Sequence, residues 1–600
     1  MDIFDVIKLA GGLAFFLFGM NLMSTGLETM VGGKLESILK SMTSNKFKSL
    51  CLGAIITIAI QSSSAMTVML VGLVNSGIMQ LAQTIGVIMG SNIGTTFTVW
   101  ILSAAGIEGG NVFTNLLKPE NFSPVVALIG AAMVMFAKSS KKKNVGSILV
   151  GFALLMTGMS FMSSSVSGLR DEPIFAEIML MFNNPFFGVL VGAVITAIIQ
   201  SSAASMGILQ SLALTGNVSF GMALPIIMGQ NIGTCITAVL SSIGANKSAK
   251  RVTVVHIYFN VIGTVLCLSL FYLADSIFKF EFTDSPISMF MIAVVHTIFN
   301  LFTTLVLLPF TKQLEKLAML TIKDKKGEAK TAAPADEIIL DERLLLSPSF
   351  AIAEARAATV NMAELTRTTI KEAINLMEHY SEEGAAAVEA NEHIIDVYED
   401  RLGTFLVKIR AKTLTKEDSN EVSKLLHTIG DFERISDHAV NLLKVAREIN
   451  YKKLVFSEKA RHELRILTLA ILDILDLTVD SFINHDDDMA YKVEPLEQVI
   501  DSLKAELKSR HIRRLQEGKC TIELGFVLSD ILTNYERISD HCSNIAVCQI
   551  QIDHDTMVTH EYLEDVKTSG SPKYTGYYND YKSRYILPMS VSSPTEEYQP

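Results

Sequence analysis

The sequence predicts an all-α chain: a polytopic membrane half with inverted-topology repeats and two re-entrant, broken helical hairpins, then a soluble six-helix domain of two three-helix bundles. Three observations predict it. The chain has unlike halves, with no Asp, Glu, Lys, Arg or His from Ser49 to Ile107 or from Ile178 to Asn246 and dense charge beyond about residue 313. Motifs of the apolar half recur at one fixed offset. The charged half carries helical i, i+3, i+4 apolar spacing and few strand signals.

A membrane span needs roughly 20 apolar residues. Candidates lie near 6–24, 80–103, 123–137, 145–163, 219–243, 251–274 and 288–310. Stretches 47–76 and 186–215 are apolar but each is interrupted by a polar cluster. The first span follows Met-Asp-Ile-Phe-Asp and lacks a basic lead, so it reads as a retained helix and not as a cleaved signal. Lys138 to Lys143, Lys247 to Arg251 and Lys312 to Lys326 place their flanks on the cytoplasmic side. The two interrupted stretches then re-enter, the first from the cytoplasm and the second from outside. The N-terminus is expected outside and the C-terminal domain in the cytoplasm, in the cell's inner membrane.

Gln61-Ser62-Ser63-Ser64-Ala65 returns as Gln200-Ser201-Ser202-Ala203-Ala204, and Gly90 to Thr96 returns as Gly229 to Cys235. Gly19-Met20-Asn21 likewise returns as Gly158-Met159-Ser160, always 139 residues on. The loop charges make the copies (about 5–140 and 145–310) opposite in orientation, as in many secondary transporters, whose site lies between the repeats. A second echo pairs Val254-Val255-His256 and Asn260 with Val294-Val295-His296 and Asn300. Those histidines read first as groups orienting neighbouring helices, with proton relay as the alternative.

A helix broken inside lipid must re-satisfy its freed N–H and C=O groups. Gln and Ser clusters can do so, and they also offer donors to a tetrahedral oxyanion. Half-helix N-termini add positive dipole ends. Carbonyl, Gln and Thr oxygens suit a hard cation such as sodium. With no fixed positive charge, the cradle favours an anion that arrives with cations, which links the two thermodynamically. Any one such Ser reads as helix-packing glue, but two matched clusters point to a site. Gly90, Gly94, Gly229 and Gly233 read as points of close backbone approach.

The duplicated QSSS with its following GxNIGT resembles the bacterial branch of the type II sodium–phosphate cotransporter family. That resemblance implies phosphate at Gln61, Ser62, Ser63, Ser64, Gln200, Ser201 and Ser202, supported by Asn92 and Asn231. It implies sodium, the coupling ion, at Gln61, Ser64, Thr95, Thr96, Gln200 and Thr234. Ala203 in place of a serine and Cys235 in place of a threonine make the copies unequal.

Residues 313–346 read as a linker, 347–551 as the helical domain, divided by turns near 381–384, 413–419, 451–457, 485–488 and 516–519, and 552–600 as a disordered tail. Asp431-Phe432-Glu433-Arg434-Ile435-Ser436-Asp437-His438 recurs as Asn534-Tyr535-Glu536-Arg537-Ile538-Ser539-Asp540-His541. Glu392/Asp396 and Glu497/Asp501 repeat the four-residue carboxylate spacing. Like charges on one helix face repel, and a bound cation relieves the conflict; the alternative is a solvated face with Glu–Arg pairs. The region resembles the PhoU family of phosphate-uptake regulators. That resemblance implies divalent or ferric metal ions at Glu392, Asp396, Asp431, Glu433, Asp437, Glu497, Asp501, Glu536 and Asp540.

The expected function is sodium-coupled phosphate transport with a regulatory cytoplasmic domain. Phosphate export, another oxyanion, or a sensor without turnover stand as alternatives. A homodimer and a signalling partner for the helical domain are further expectations. No enzyme motif and no basic, aromatic-interleaved stripe for nucleic acid occurs, and the six cysteines form no metal spacing.

Overall fold

The computed structural model describes residues 3–31, 45–106, 119–166, 184–323, 340–553 and 572–588. Two compact units result: Met1–Ala332 with Asp341–Ala351, and Ala333–Leu340 with Ile352–Pro600. Among the described residues there is no strand, only an isolated antiparallel bridge between Ser219 and Pro286.

The membrane unit begins with α1 (Ile3–Val31), α2 (Lys46–Ile60), α3 (Ser63–Asn75), α4 (Leu81–Ser103), α5 (Pro119–Phe136) and α6 (Ser140–Val166). It continues with α7 (Pro185–Ile199), α8 (Ser202–Ala213), α9 (Phe220–Gly233), α10 (Cys235–Ser241), α11 (Lys247–Phe278), α12 (Met289–Leu307) and α13 (Thr311–Thr321). The sequence offset carries into the helix ends: α2, α3 and α4 start at 46, 63 and 81, and α7, α8 and α9 at 185, 202 and 220. Among the described residues, six segments are long and apolar enough to cross a membrane: Ile3–Leu27, Leu81–Gly106, Ser140–Val166, Phe220–Ser241, Lys247–Phe278 and Met289–Thr321. The span expected at 123–137 forms a shorter apolar helix.

Glycine sets how closely the helices approach. A Cβ on Gly90 would lie 1.9 Å from the Leu50 carbonyl oxygen, and one on Gly229 would lie 2.1 Å from that of Val189. So α2 presses on α4, and α7 on α9, backbone to backbone. The first helices of the two copies meet reciprocally. Gly19 faces the Gly151 carbonyl at 2.6 Å, and Gly151 faces that of Gly19 at 2.7 Å, measured from the added Cβ.

The linker expectation needs amending at both ends. Residues 311–321 are helical because Leu314 and Ala318 bury one face. Glu342–Leu346 form a 3-10 turn that packs on α3 within the membrane unit. Asn75 Nδ2 donates to the buried Asp341 carboxylate at 2.8 Å, and Arg343 donates to the same oxygen at 2.7 Å. Leu344 is fully buried against Gly72.

The second unit consists mainly of α14 (Pro348–Glu378), α15 (Glu382–Arg410), α16 (Lys416–Lys452), α17 (Glu458–Asn484), α19 (Val493–Gln516) and α20 (Ile522–Asp553). The five turns the sequence marked fall at the junctions between these six helices. A short α18 (Asp487–Ala490) adds one turn. The expected disordered tail contains α21 (Pro572–Arg584), which packs on α19 through Tyr- and Lys-bearing turns; residues 554–571 and 589–600 lie outside the described residues.

Candidate functional site

Both polar clusters break their helices in one way. Gln61 has φ 57° and Gln200 φ 56°, the left-handed region that non-glycine residues rarely occupy. Each ends its helix by donating its backbone N–H to the residue four back, Thr57 or Thr196. The following serine is extended and caps the next helix: Ser62 Oγ accepts from Ala65 N at 3.1 Å, and Ser201 Oγ from Ala204 N at 3.2 Å. Strain of this kind gathers at functional sites.

A cavity of about 240 Å³ lies between the breaks. Gln61, Ser62, Ser63, Ser64 and Thr95 line it from the first copy, and Gln200, Ser201, Ser202 and Ala203 from the second. Met20, Asn21 and Ser24 of α1 complete the wall, which holds no charged residue. The N-termini of α3 and α8 open on it, as do the C-terminal ends of α2 and α7. One chamber thus presents positive ends for an anion and carbonyl ends for a cation.

The copies are unequal. Gln61 is 6% exposed, its Oε1 accepts from Thr98 Oγ1 at 2.9 Å, and its Nε2 donates to the Ile58 carbonyl. Gln200 is exposed. Thr237, which matches Thr98 at the offset, donates instead to the Thr234 carbonyl at 3.0 Å. Thr57 donates to Ser91 at 2.8 Å, but its counterpart Thr196 donates to Ser205 at 2.8 Å because Gln230 stands at the position of Ser91.

The remaining expected site residues sit off the cavity wall. Asn92 donates to the Ile88 carbonyl, Thr96 to Ile93 and Thr234 to Gln230, all within their own helices. Asn231 bridges α12 through Asn300 Oδ1 and His296 Nε2, both at 3.2 Å. Asn21 was legible in the repeated Gly19-Met20-Asn21 motif, which marked α1 without assigning it to the site, and Ser24 lies three residues further along the same helix. Thr98 had no sequence signal beyond its place after NIGT.

In the helical unit the duplicated motif pairs crosswise. His541 Nδ1 meets Asp431 Oδ1 at 2.9 Å, and His438 Nδ1 meets Asn534 Oδ1 at 2.8 Å, with the rings stacked at 6.0 Å between centroids. Desolvation raises the Glu392 pKa, helped by Asp437 and Asp396, and raises that of Glu433, helped by Asp437, Glu399 and Asp396. Asp540 is raised by desolvation, then by Glu536 and Asp501. The expected mutual repulsion is therefore present. A metal cage is not: among the described residues no three His, Cys, Asp or Glu side chains come together to hold an ion. Asp431 is taken by His541, and Glu536 by Lys504. The residues as placed do not fit the metal ions that the resemblance implied.

Comparison with known proteins agrees with this architecture. The Na+/Pi-cotransporter family profile matches residues 15–164 and 154–300, once per copy, and the PhoU domain profile matches 359–446 and 464–548. YqeW of Bacillus subtilis, a protein without an assigned role, is 31% identical over 52% of this chain and 97% of its own length. YjbB of Escherichia coli, named as a candidate inorganic phosphate export protein, is 22% identical over 90% of this chain and 96% of its own. Sodium-dependent phosphate transport protein 2A of Ovis aries is 22% identical over 42% of this chain and 59% of its own. The chain belongs to the Na+/Pi-cotransporter family and carries a PhoU domain after its membrane unit. It is a multi-pass membrane protein of a transport family, not an enzyme.

Proposed function

We propose that the chain carries inorganic phosphate across the cell's inner membrane together with sodium, and that its cytoplasmic helical domain adjusts the flux. The observation that carries this reading is the uncharged cavity into which two matched broken helices open. Phosphate occupies the N-terminal ends of α3 and α8, where backbone N–H groups and the Ser63 and Ser202 hydroxyls serve as donors. Sodium sits nearer Gln61, Ser64, Thr95 and Gln200, where side-chain oxygens and the carbonyl ends of α2 and α7 converge. Without a resident cation, the anion is poorly balanced until sodium enters, so neither is carried well alone.

Export has its own support, since the relative matching 90% of the chain, both units included, bears an export name. Radiolabelled phosphate in proteoliposomes distinguishes the readings. Accumulation that requires an inward sodium gradient is expected; equal accumulation without sodium sinks the coupling, and binding without translocation sinks transport.

A further inference from the structure

The second sequence echo has a structural counterpart away from the cavity. His256, Asn260 and Thr264 follow one face of α11 at four-residue steps, and His296, Asn300 and Thr304 follow one face of α12 in the same way. All six are at most 3% exposed. The two helices meet where a Cβ on Gly263 would lie 2.8 Å from the Thr303 hydroxyl. The junction of α9 and α10 joins them: Asn231 bonds Asn300 and His296, while Asn260 donates to Cys235 at 3.4 Å.

The hydrogen bonds leave a set of oxygens unused. Asn260 Oδ1 and the hydroxyls of Thr264, Thr303 and Thr304 are buried and without a partner. Thr297, on the same helix as Thr303 and Thr304, donates instead to the Ala293 carbonyl at 2.8 Å. Gly263 sets Thr303 against α11, and the four unpartnered oxygens are neutral with no carboxylate on either stripe, which suits an alkali cation; a divalent ion requires compensating charge.

We propose that the α11–α12 stripes form a monovalent cation site, taking sodium through Asn260, Thr264, Thr303 and Thr304. None of these residues lines the phosphate cavity, so the site goes beyond the transport reading and is read without phosphate. The test is the melting temperature of the purified full chain titrated with sodium against choline at constant ionic strength and pH. It is run in a Ser64→Ala/Thr95→Val/Gln200→Ala background, which removes three of the four cavity side chains assigned to sodium. We expect sodium to stabilise this protein, Thr303→Val/Thr304→Val to raise the half-maximal sodium concentration about tenfold or more, and Thr303→Ser/Thr304→Ser to leave it near the parent value. If the valine pair does not fold, Thr303→Val alone is read the same way. Absence of a sodium effect in the background protein, an effect untouched by valine, or a shift that follows pH in place of sodium overturns the proposal.

Discussion

Thr98 donates to the side-chain oxygen of Gln61 across 2.9 Å and so fastens the residue on which the first broken helix turns. Thr98→Val keeps the volume and removes the donor. Leaving a buried acceptor unpaired costs about 1–3 kcal/mol, so a lower melting temperature and weaker phosphate uptake are expected. Thr237→Val, at the matching position, removes only a bond within its own helix and is expected to do less. Equal effects of the two variants would disprove the asymmetry.

The serines of each cluster divide their work. Ser62→Ala and Ser201→Ala remove helix caps and are expected to cost about 1 kcal/mol each in stability. Ser63→Ala and Ser202→Ala leave those caps intact and remove donors from the cavity. Their expected effect is a fall of about tenfold or more in phosphate uptake at unchanged melting temperature. Normal uptake by both would remove them from the site.

Gly90→Ala and Gly229→Ala each drive a Cβ into a facing carbonyl oxygen. Loss of at least about 1–3 kcal/mol is expected, seen as aggregation on extraction or a lowered melting temperature. Gly11→Ala, which meets nothing within 4 Å, is the control.

Asp341→Ala frees the 3-10 turn from α3 and leaves Asn75 Nδ2 unpaired. Faster protease cleavage near residues 341–346 is expected, with a stability loss of about 1–3 kcal/mol. A cleavage rate equal to wild type would show that the turn does not depend on this carboxylate.

Glu392, Glu433 and Asp540 all hold protons more tightly in the folded helical unit than in the unfolded chain. Their contribution to stability is therefore present at acid pH and is lost as pH rises through the raised values. Glu433→Gln with Asp437→Asn is expected to stabilise the full chain at neutral pH and to flatten its pH profile between acid and neutral. Destabilisation at neutral pH would mean that these carboxylates are held by something favourable.

Much of this fold was legible because its signals are local or repeated. A fixed offset, two QSSS clusters and uncharged runs gave the helix breaks at Gln61 and Gln200 nearly to the residue. The carboxylate pairs gave the repelling faces of α15 and α16. What the sequence could not convey was how the copies diverge in space. Thr57 and Thr196 look equivalent, yet they choose different partners because residue 91 is Ser and residue 230 is Gln. Asn92 and Asn231 were expected at the site through the family resemblance; Asn92 bonds the Ile88 carbonyl and Asn231 bonds Asn300, contacts the motif does not reveal. Likewise Asp431 looked free to ligate until a histidine 110 positions later came within 2.9 Å of it.

Where the main chains of α2 and α4 touch, no rotamer can change to admit a shear. The same holds for α7 and α9. Each pair is expected to tilt as one block, so under the proposed transport the movement that exposes the chamber to either face of the bilayer is expected to run along the seams between blocks. A crosslink within a block should then leave turnover intact, while one spanning a seam should arrest it.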